Sequence, residues 1–283
     1  MGMLGTSPVR VVQPDDYPEV QQLLDRDPVA NVFVSSRVRA AGVDPRRLQA
    51  ELWAYHDGDT LAALCYSGAN LVPVNAGPEA VRCFAARARE QGRRCSSIAG
   101  PVDTVAQLWR QLAPTWGPAR EVRSHQPVLE VDSWSGVVPA DSRVRRVRPE
   151  ELDVLYPACV AMFTEEVGVR PDLGSNAGLY RARLEELIRS GRSLARIEDG
   201  RVVFKAEVGA VTPHACQIQG VWVHPELRGR NLAVPGMAQV LRIALAEIAP
   251  RVTLYVNDYN TRARAVYREV GFREVGAVMT VLF

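Results

Sequence analysis

Apolar residues fall into two kinds of spacing along the chain, and the alternation between them predicts its elements. In the first half, LWAYHDG and TLAALCYSGANLVPV are strand-like runs that meet at Asp57-Gly58, a dipeptide suited to a hairpin turn. PEAVRCFAARAREQG then spaces its apolar side chains as a helix does and closes on Gly92. A short strand near Ser97, a helix from about Val102 to Leu112 and a last strand, HQPVLEV, complete this half.

The second half repeats the plan. A helix over Glu151–Phe163 is followed by another from about Asn176 to Ser190, stopped by Gly191. SLARIEDGRVVFKAEVGAV is a hairpin turning at Asp199-Gly200, and ACQIQGVWV is a strand. Leu232–Ile248 is a helix, VTLYVN a strand, Thr261–Val270 a helix and AVMTVLF a strand. Hairpins that give way to β-α-β units define an α+β, mixed α/β class.

The two halves also begin alike. In VRVVQPDDYPEV and VRRVRPEELDVL, Val9, Arg10, Val12, Pro14, Asp15, Asp16 and Val20 stand opposite Val144, Arg145, Val147, Pro149, Glu150, Glu151 and Leu155. Each is a short β run, a proline, an acidic pair at a helix N-terminus and an amphipathic helix. A duplicated unit of about 135 residues is of ordinary domain size. DSWSGVVPADS, residues 132–142, is a connector by its Ser, Gly and Pro content. Two domains are therefore expected, at residues 1–140 and 141–283.

Composition narrows the class. Hydrophobic content of 47% and charged content of 23% are those of a soluble globular chain. The net charge of +2 is scattered arginine balanced by 32 acidic residues, which argues against a nucleic-acid partner, and Lys205 is the sole lysine. Cys65, Cys83, Cys95, Cys159 and Cys216 form no C-x-x-C pair and have no His at zinc-ligand spacing, so no metal is expected. MGMLGTSPVRVV lacks a signal-peptide pattern and no apolar window is long enough for a membrane span, which points to a cytoplasmic protein.

VWVHPELRGRNLAVPG, residues 221–236, carries the chemistry: a strand ends at Val223, and a polar turn leads straight into an apolar helix. A helix N-terminus concentrates unpaired N–H donors and positive dipole, so strand, turn and helix together suit an anion. Arg228, Gly229, Arg230, Asn231, Leu232 and Ala233 would wrap it, and Pro235 fits a first helical turn. An ordinary capped surface turn is the alternative. The G-K-[ST] ending of a Walker loop is missing.

Downstream, VNDYNTRARAVYREVGF sets Asn260, Ala263, Tyr267, Gly271 and Phe272 in the order N-x-x-A-x-x-V-Y-x-x-x-G-F. Residues 217–272 thereby resemble the GNAT superfamily of acyl-CoA-dependent N-acyltransferases. The family's loop motif, [QR]-x-x-G-x-[GA] after a V-x-V strand, lies on Arg228 to Ala233. Asn231 stands where the family usually has a glycine, and asparagine is the non-glycine residue best suited to a left-handed conformation. The first half resembles the fold only in outline, with no arginine-glycine loop after NLVPVNAG. The resemblance thus implies two tandem GNAT-like domains, each a mostly antiparallel sheet flanked by helices, the N-terminal one degenerate.

By that resemblance, acetyl-CoA is the cosubstrate and a primary amine takes the acetyl group by direct attack through a tetrahedral intermediate. Val221, Trp222 and Val223 would hold the pantetheine arm through the main chain, and Asn260 would bond it, besides capping the helix at Thr261. Tyr267 is implied as the general acid for the departing thiolate, since a phenol of pKa about 10 can serve a thiol of pKa about 8.5. Glu207, Gln217, Gln219 and Tyr255 are candidates for the base, none singled out, while His224 beside Pro225 suits a turn. In FTEEVGVRP, between two helices, Glu165 and Glu166 would attract a cationic amine or stand as solvated surface. The acceptor is open among small amines, aminoglycoside-like compounds, protein N-termini and lysine side chains. Two fused halves favour a monomer, with no membrane partner. The alternative function is a non-catalytic acyl-CoA-binding regulator or protein-interaction module.

Overall fold

Strand residues of the first half alternate between two helical layers, and that alternation builds the first of two units in the computed structural model, which describes residues 9–174 and 177–283. The first unit holds the chain up to Val128 with residues 255–259 and 275–283, and the second holds 129–254 and 260–274. The first begins with β1 (Val9–Val11), α1 (Tyr17–Asp25), α2 (Val32–Ala41) and α3 (Pro45–Leu48). It continues through β2 (Glu51–Asp57), β3 (Thr60–Ser67), β4 (Asn70–Val74), α4 (Pro78–Gln91), β5 (Ser97–Pro101), α5 (Val102–Trp116) and β6 (Glu121–Val131), whose residues from 129 onward count with the second unit. Trp53, Ala63 and Cys65 point to a core shared with Phe84, Leu108 and Leu112 of α4 and α5. Their neighbours Leu52, Ala54, Leu64 and Tyr66 point to a second core with Val20, Leu24 and Val38 of α1 and α2.

Several elements differ from the sequence expectation. Residues 32–48 carry α2 and α3, which the apolar spacing did not reveal; α3 starts where Asp44 accepts from the N–H groups of Arg46 and Arg47. The first-half run 60–74 is two strands, β3 and β4, paired antiparallel. Helix α5 runs through Pro114 and stops only at Gly117 (φ +79°), which bonds back to Ala113.

The second unit contains β7 (Arg145–Arg146), α6 (Leu152–Val167), α7 (Ala177–Arg189), β8 (Ser193–Glu198), β9 (Arg201–Val211) and β10 (Cys216–Val223). Then follow α8 (Ala233–Glu247), β11 (Val252–Tyr255), α9 (Thr261–Glu269) and β12 (Arg273–Leu282); Tyr255 and the residues from 275 onward count with the first unit. The expected helix start at Asn176 lies outside the described residues. Strand order is β11-β10-β9-β8-β7, with β10 and β11 parallel across α8 and the other pairs antiparallel. Asp199 (φ 49°) and Gly200 (φ 71°) both take the left-handed conformation that a two-residue hairpin needs. In the first unit β12 pairs antiparallel with β5, Val278 opposite Pro101 through Leu282 opposite Ser97.

The likeness between the two beginnings has a physical basis. Arg10 forks onto both oxygens of Asp16 at 2.5 and 2.7 Å, and Asp16 also accepts the N–H of Gln13. Arg145 forks onto Glu151 at 2.8 and 2.7 Å, and Glu151 accepts the N–H of Arg148. The same corner, from strand into helix, is thus closed twice by an arginine and a carboxylate.

Candidate functional site

The strand that leads into the polar loop is irregular in a specific way. Its ladder to β9 pairs Gln219 with Glu207 and then Trp222 with Lys205, so Gly220 and Val221 together face Ala206 and the strand bulges by one residue. Gly220 makes this possible with φ +60°, and a Cβ there would meet Met162, Lys205 and Glu207. Its parallel ladder to β11 pairs only Cys216 with Val252 and Gln217 with Thr253. Beyond Gln217 the β11 side of β10 has no ladder among the described residues, so the end of the strand presents main chain to something other than a neighbouring strand.

The loop continues that exposure. His224 starts a short 3-10 turn, its Nδ1 accepting from the N–H of Glu226, its ring packed edge-on against Trp222 at 5.5 Å. The N–H of Arg228 bonds to Pro225. Gly229 (φ +80°) and Asn231 (φ +53°) then turn the chain in the left-handed region, so asparagine does adopt the conformation expected of it. Leu232 caps α8 without a side-chain hydrogen bond, and the first N–H satisfied inside the helix is that of Gly236, bonded to Leu232. Among the described residues the N–H groups of Gly229, Arg230, Asn231, Leu232, Ala233 and Val234 have no partner. Gly236 lets this helix end lie close on the sheet: a Cβ there would be 2.9 Å from the Phe204 ring. At the matching corner of the first unit, Asn75 (φ 55°), Ala76 and Gly77 lead into α4 with no arginine.

Around the loop, charge is held in place. Arg228 donates to the carbonyl of Val223 at 3.1 Å and to Glu165 at 2.7 Å, while Trp222 donates its indole N–H to the other oxygen of Glu165 at 3.2 Å. Both oxygens of Glu165 are therefore engaged. Glu165 and Glu166 sit on the last turn of α6, not in a loop, because the helix runs on until Gly168 (φ +77°) ends it. Arg230 is exposed, with no partner for its guanidinium among the described residues.

Tyr267, buried on α9, packs edge-on against Phe272 at 5.8 Å. Its hydroxyl has no hydrogen-bond partner among the described residues. Burial, reinforced by the charge of Glu166, pushes the phenol above its ordinary pKa, so it stays protonated. Asn260 caps α9, its Oδ1 accepting the N–H of Ala263 at 3.1 Å, and is exposed. Its amide N–H₂ is not used in the cap.

Of the candidate bases, Glu207 is buried in an ion pair with Lys205 at 2.7 Å, and also accepts from Cys159 and Gln219. Gln219 is exposed and lies against Gly209, where a Cβ would be 2.1 Å from its Oε1. Gln217 is half-buried, and Tyr255 belongs to the first unit. The sole lysine is fully buried. Burial disfavours its ammonium, yet Glu207 outweighs burial and raises the pKa, so the charge is kept. Burial pushes the Cys159 thiol up to about 12. Lys205 also donates to the carbonyl of Gly220 at 3.0 Å. Sequence reading overlooked Lys205, Cys159 and Gly220; a lone lysine inside the apolar run VVFKAEV was the signal.

Among the described residues no group of three or more His, Cys, Asp and Glu stands close enough to hold a metal, and no helix is long and apolar enough to cross a membrane. Residues 164–272 match the acetyltransferase (GNAT) family, and residues 50–155 match a domain of unknown function, DUF4081. The peptidyl-lysine N-acetyltransferase YjaB of Salmonella typhimurium is 29% identical over 133 residues, covering 47% of this chain and 84% of that protein. A GCN5-related N-acetyltransferase from Sphaerobacter thermophilus superposes with a TM-score of 0.59 at 17% identity, over 96% of this chain and 93% of that one. A tandem GNAT protein from the clavulanic acid biosynthesis pathway gives 0.57 at 17% identity, over 97% and 98%. At such identities the two structures speak for a shared fold.

Proposed function

We propose that acyl transfer from acetyl-CoA to a primary amine takes place where β10, α8 and α9 converge, a reading supported by the acetyltransferase (GNAT) family match over residues 164–272 and the likeness to YjaB. The observation that carries this reading is the run of N–H groups from Gly229 to Val234 without partners among the described residues, directly after a strand whose β11 side has no ladder beyond Gln217. Bound there, acetyl-CoA supplies an acyl group activated as a thioester.

The chain's own residues divide the remaining work. Val221, Trp222 and Val223 offer the main chain of β10 to the pantetheine arm, and Asn260 adds its amide N–H₂. The N–H groups of Gly229, Arg230, Asn231, Leu232 and Ala233 hold the diphosphate with the positive end of α8 behind them. Arg228 spends its own N–H on Pro225 and contributes its guanidinium, which Glu165 and the Val223 carbonyl hold across the strand end. That engagement supports Glu165 as a clamp on the loop; Glu166, next to it on the last turn of α6, is the carboxylate we assign to a cationic acceptor. Tyr267 holds a proton on its hydroxyl and gives it to the departing sulfur; the effect of Glu166 on that phenol supports proton donor and acceptor carboxylate facing one place.

The named activity of YjaB makes a lysine side chain in a peptide the first acceptor to try. Acetyl-CoA should raise the melting temperature and slow amide exchange at residues 229–234. Thiol release should then follow from lysine-bearing peptides or small primary amines. If saturating acetyl-CoA leaves both melting and exchange unchanged, the reading fails; if it binds but no amine releases thiol, transfer at this site fails.

A further inference from the structure

The peptide unit between Gly220 and Val221 has one end in the buried charge cluster and the other at the strand end proposed to hold the pantetheine arm, whose thiol carries the acyl group. Its carbonyl, on Gly220, accepts from the Lys205 ammonium at 3.0 Å. The amide N–H of that same planar unit belongs to Val221. No peptide bond in the described chain is cis, so this N–H points opposite to the carbonyl, away from Lys205. Gly220 and Val221 form the bulge in the ladder to β9, and the ladder to β11 has already ended.

We propose that Lys205 is a positioning residue for acyl transfer: its ammonium fixes and polarises the Gly220–Val221 peptide so that the Val221 N–H is aimed at, and strengthened toward, the thioester carbonyl oxygen. The inference rests on the acyl-CoA reading above. A charged donor on an amide oxygen draws electron density from the nitrogen, and hydrogen bonds in such a chain reinforce one another. A donor fixed before reaction, where negative charge develops on oxygen, stabilises it without reorganisation.

The surroundings fit this role better than they fit a stability device. A buried ion pair is weak as a source of stability, because desolvation offsets much of the attraction. Here the lysine is fully buried, its charge is balanced by Glu207, and its ammonium, which also meets the Cys159 thiol, donates to one main-chain carbonyl, in a bulge built on a left-handed glycine. Met162 of α6 closes on the same residue: a Cβ at Gly220 would stand 3.0 Å from its Cε, so no side chain fits here without displacing a neighbour.

Lys205 being the sole lysine, 15N-lysine labelling gives a single ammonium resonance, and a through-hydrogen-bond coupling from it to the Gly220 carbonyl carbon is expected in the ligand-free protein. The informative variant is Lys205→Met with Glu207→Met, which removes the pair without stranding a buried charge. It should retain the dissociation constant for CoA, move the Val221 amide 15N resonance, and lose most of the downshift in carbonyl stretch that acetyl-CoA labelled with 13C at the acetyl carbonyl shows on binding the unaltered protein. An unchanged downshift in the double variant overturns the proposal. So does loss of CoA binding in that variant, because the role would then be structural. Should the variant not fold, absence of the coupling in the unaltered protein overturns it. Failure of the unaltered protein to bind acetyl-CoA at all would instead remove the functional reading, and this inference with it.

Discussion

Gly220 carries two constraints at once: a left-handed backbone and contact with three side chains. A Cβ there would stand 3.0 Å from Met162 Cε and 3.1 Å from Lys205 Nζ. Gly220→Ala is expected to lose about 1–2 kcal/mol from the backbone conformation, before any crowding of the ammonium is counted. Urea denaturation measures it, and a loss below a few tenths of that would mean the bulge relaxes freely. Tyr267 is constrained differently, by burial and by the charge of Glu166. Tyr267→Phe keeps the packing against Phe272 and removes only the hydroxyl, so stability should hold while turnover falls by about a hundredfold. Because the phenol is raised above its ordinary value, any loss of rate from its ionisation belongs above pH 10. A basic limb near pH 8 that survives in the phenylalanine variant comes from another group.

The repeated corner between strand and helix carries a pH dependence of its own. Arg10 hydrogen-bonds Asp16 and holds its carboxyl at about 2, below its ordinary 3.8; Arg145 and then Arg148 hold Glu151 well below the usual range. A folded-state pKa below the unfolded value favours the native state when the carboxylate is charged in both. That contribution is complete above about pH 5 and is lost as pH falls through the unfolded and then the folded value. Arg10→Gln and Arg145→Gln should therefore be less stable than the unaltered protein at pH 7, with the difference closing toward pH 2. Denaturant melts at a series of pH values would show it, and a gap constant with pH would assign the loss to packing. The helix at the loop, α8, depends on a small residue instead: Gly236 allows its first turn to approach Phe204 and brings the free N–H groups to the end of β10.

At the scale of the molecule, the end of the chain does not stay with the half that precedes it. Residues 275–283 count with the first unit, where Val278 to Leu282 pair with β5 and Met279 and Val281 enter the core beside Ile98 and Leu108. Deleting 275–283 should accelerate amide exchange at residues 97–100; unchanged protection there would refute the pairing. The last strand was legible in AVMTVLF as a run of β-branched and apolar residues, but its partner was not, because alternation reports only that a face is buried and never against which strand. Local chemistry, by contrast, was plain in the order of residues. The hairpin at Asp199-Gly200, the cap at Asn260, the matched corners at Arg10 and Arg145, and a polar turn opening a helix at Ala233 all arise from contacts within a few positions, which sequence spacing encodes directly. What only the tertiary structure decided were the meetings of distant residues: Glu165 with Arg228, Lys205 with Glu207 and the carbonyl of Gly220, and the end of the ladder between β10 and β11 at Gln217. Such meetings depend on register and on how closely helices approach the sheet, and one backbone dihedral at Gly220 determines where the buried charge is delivered.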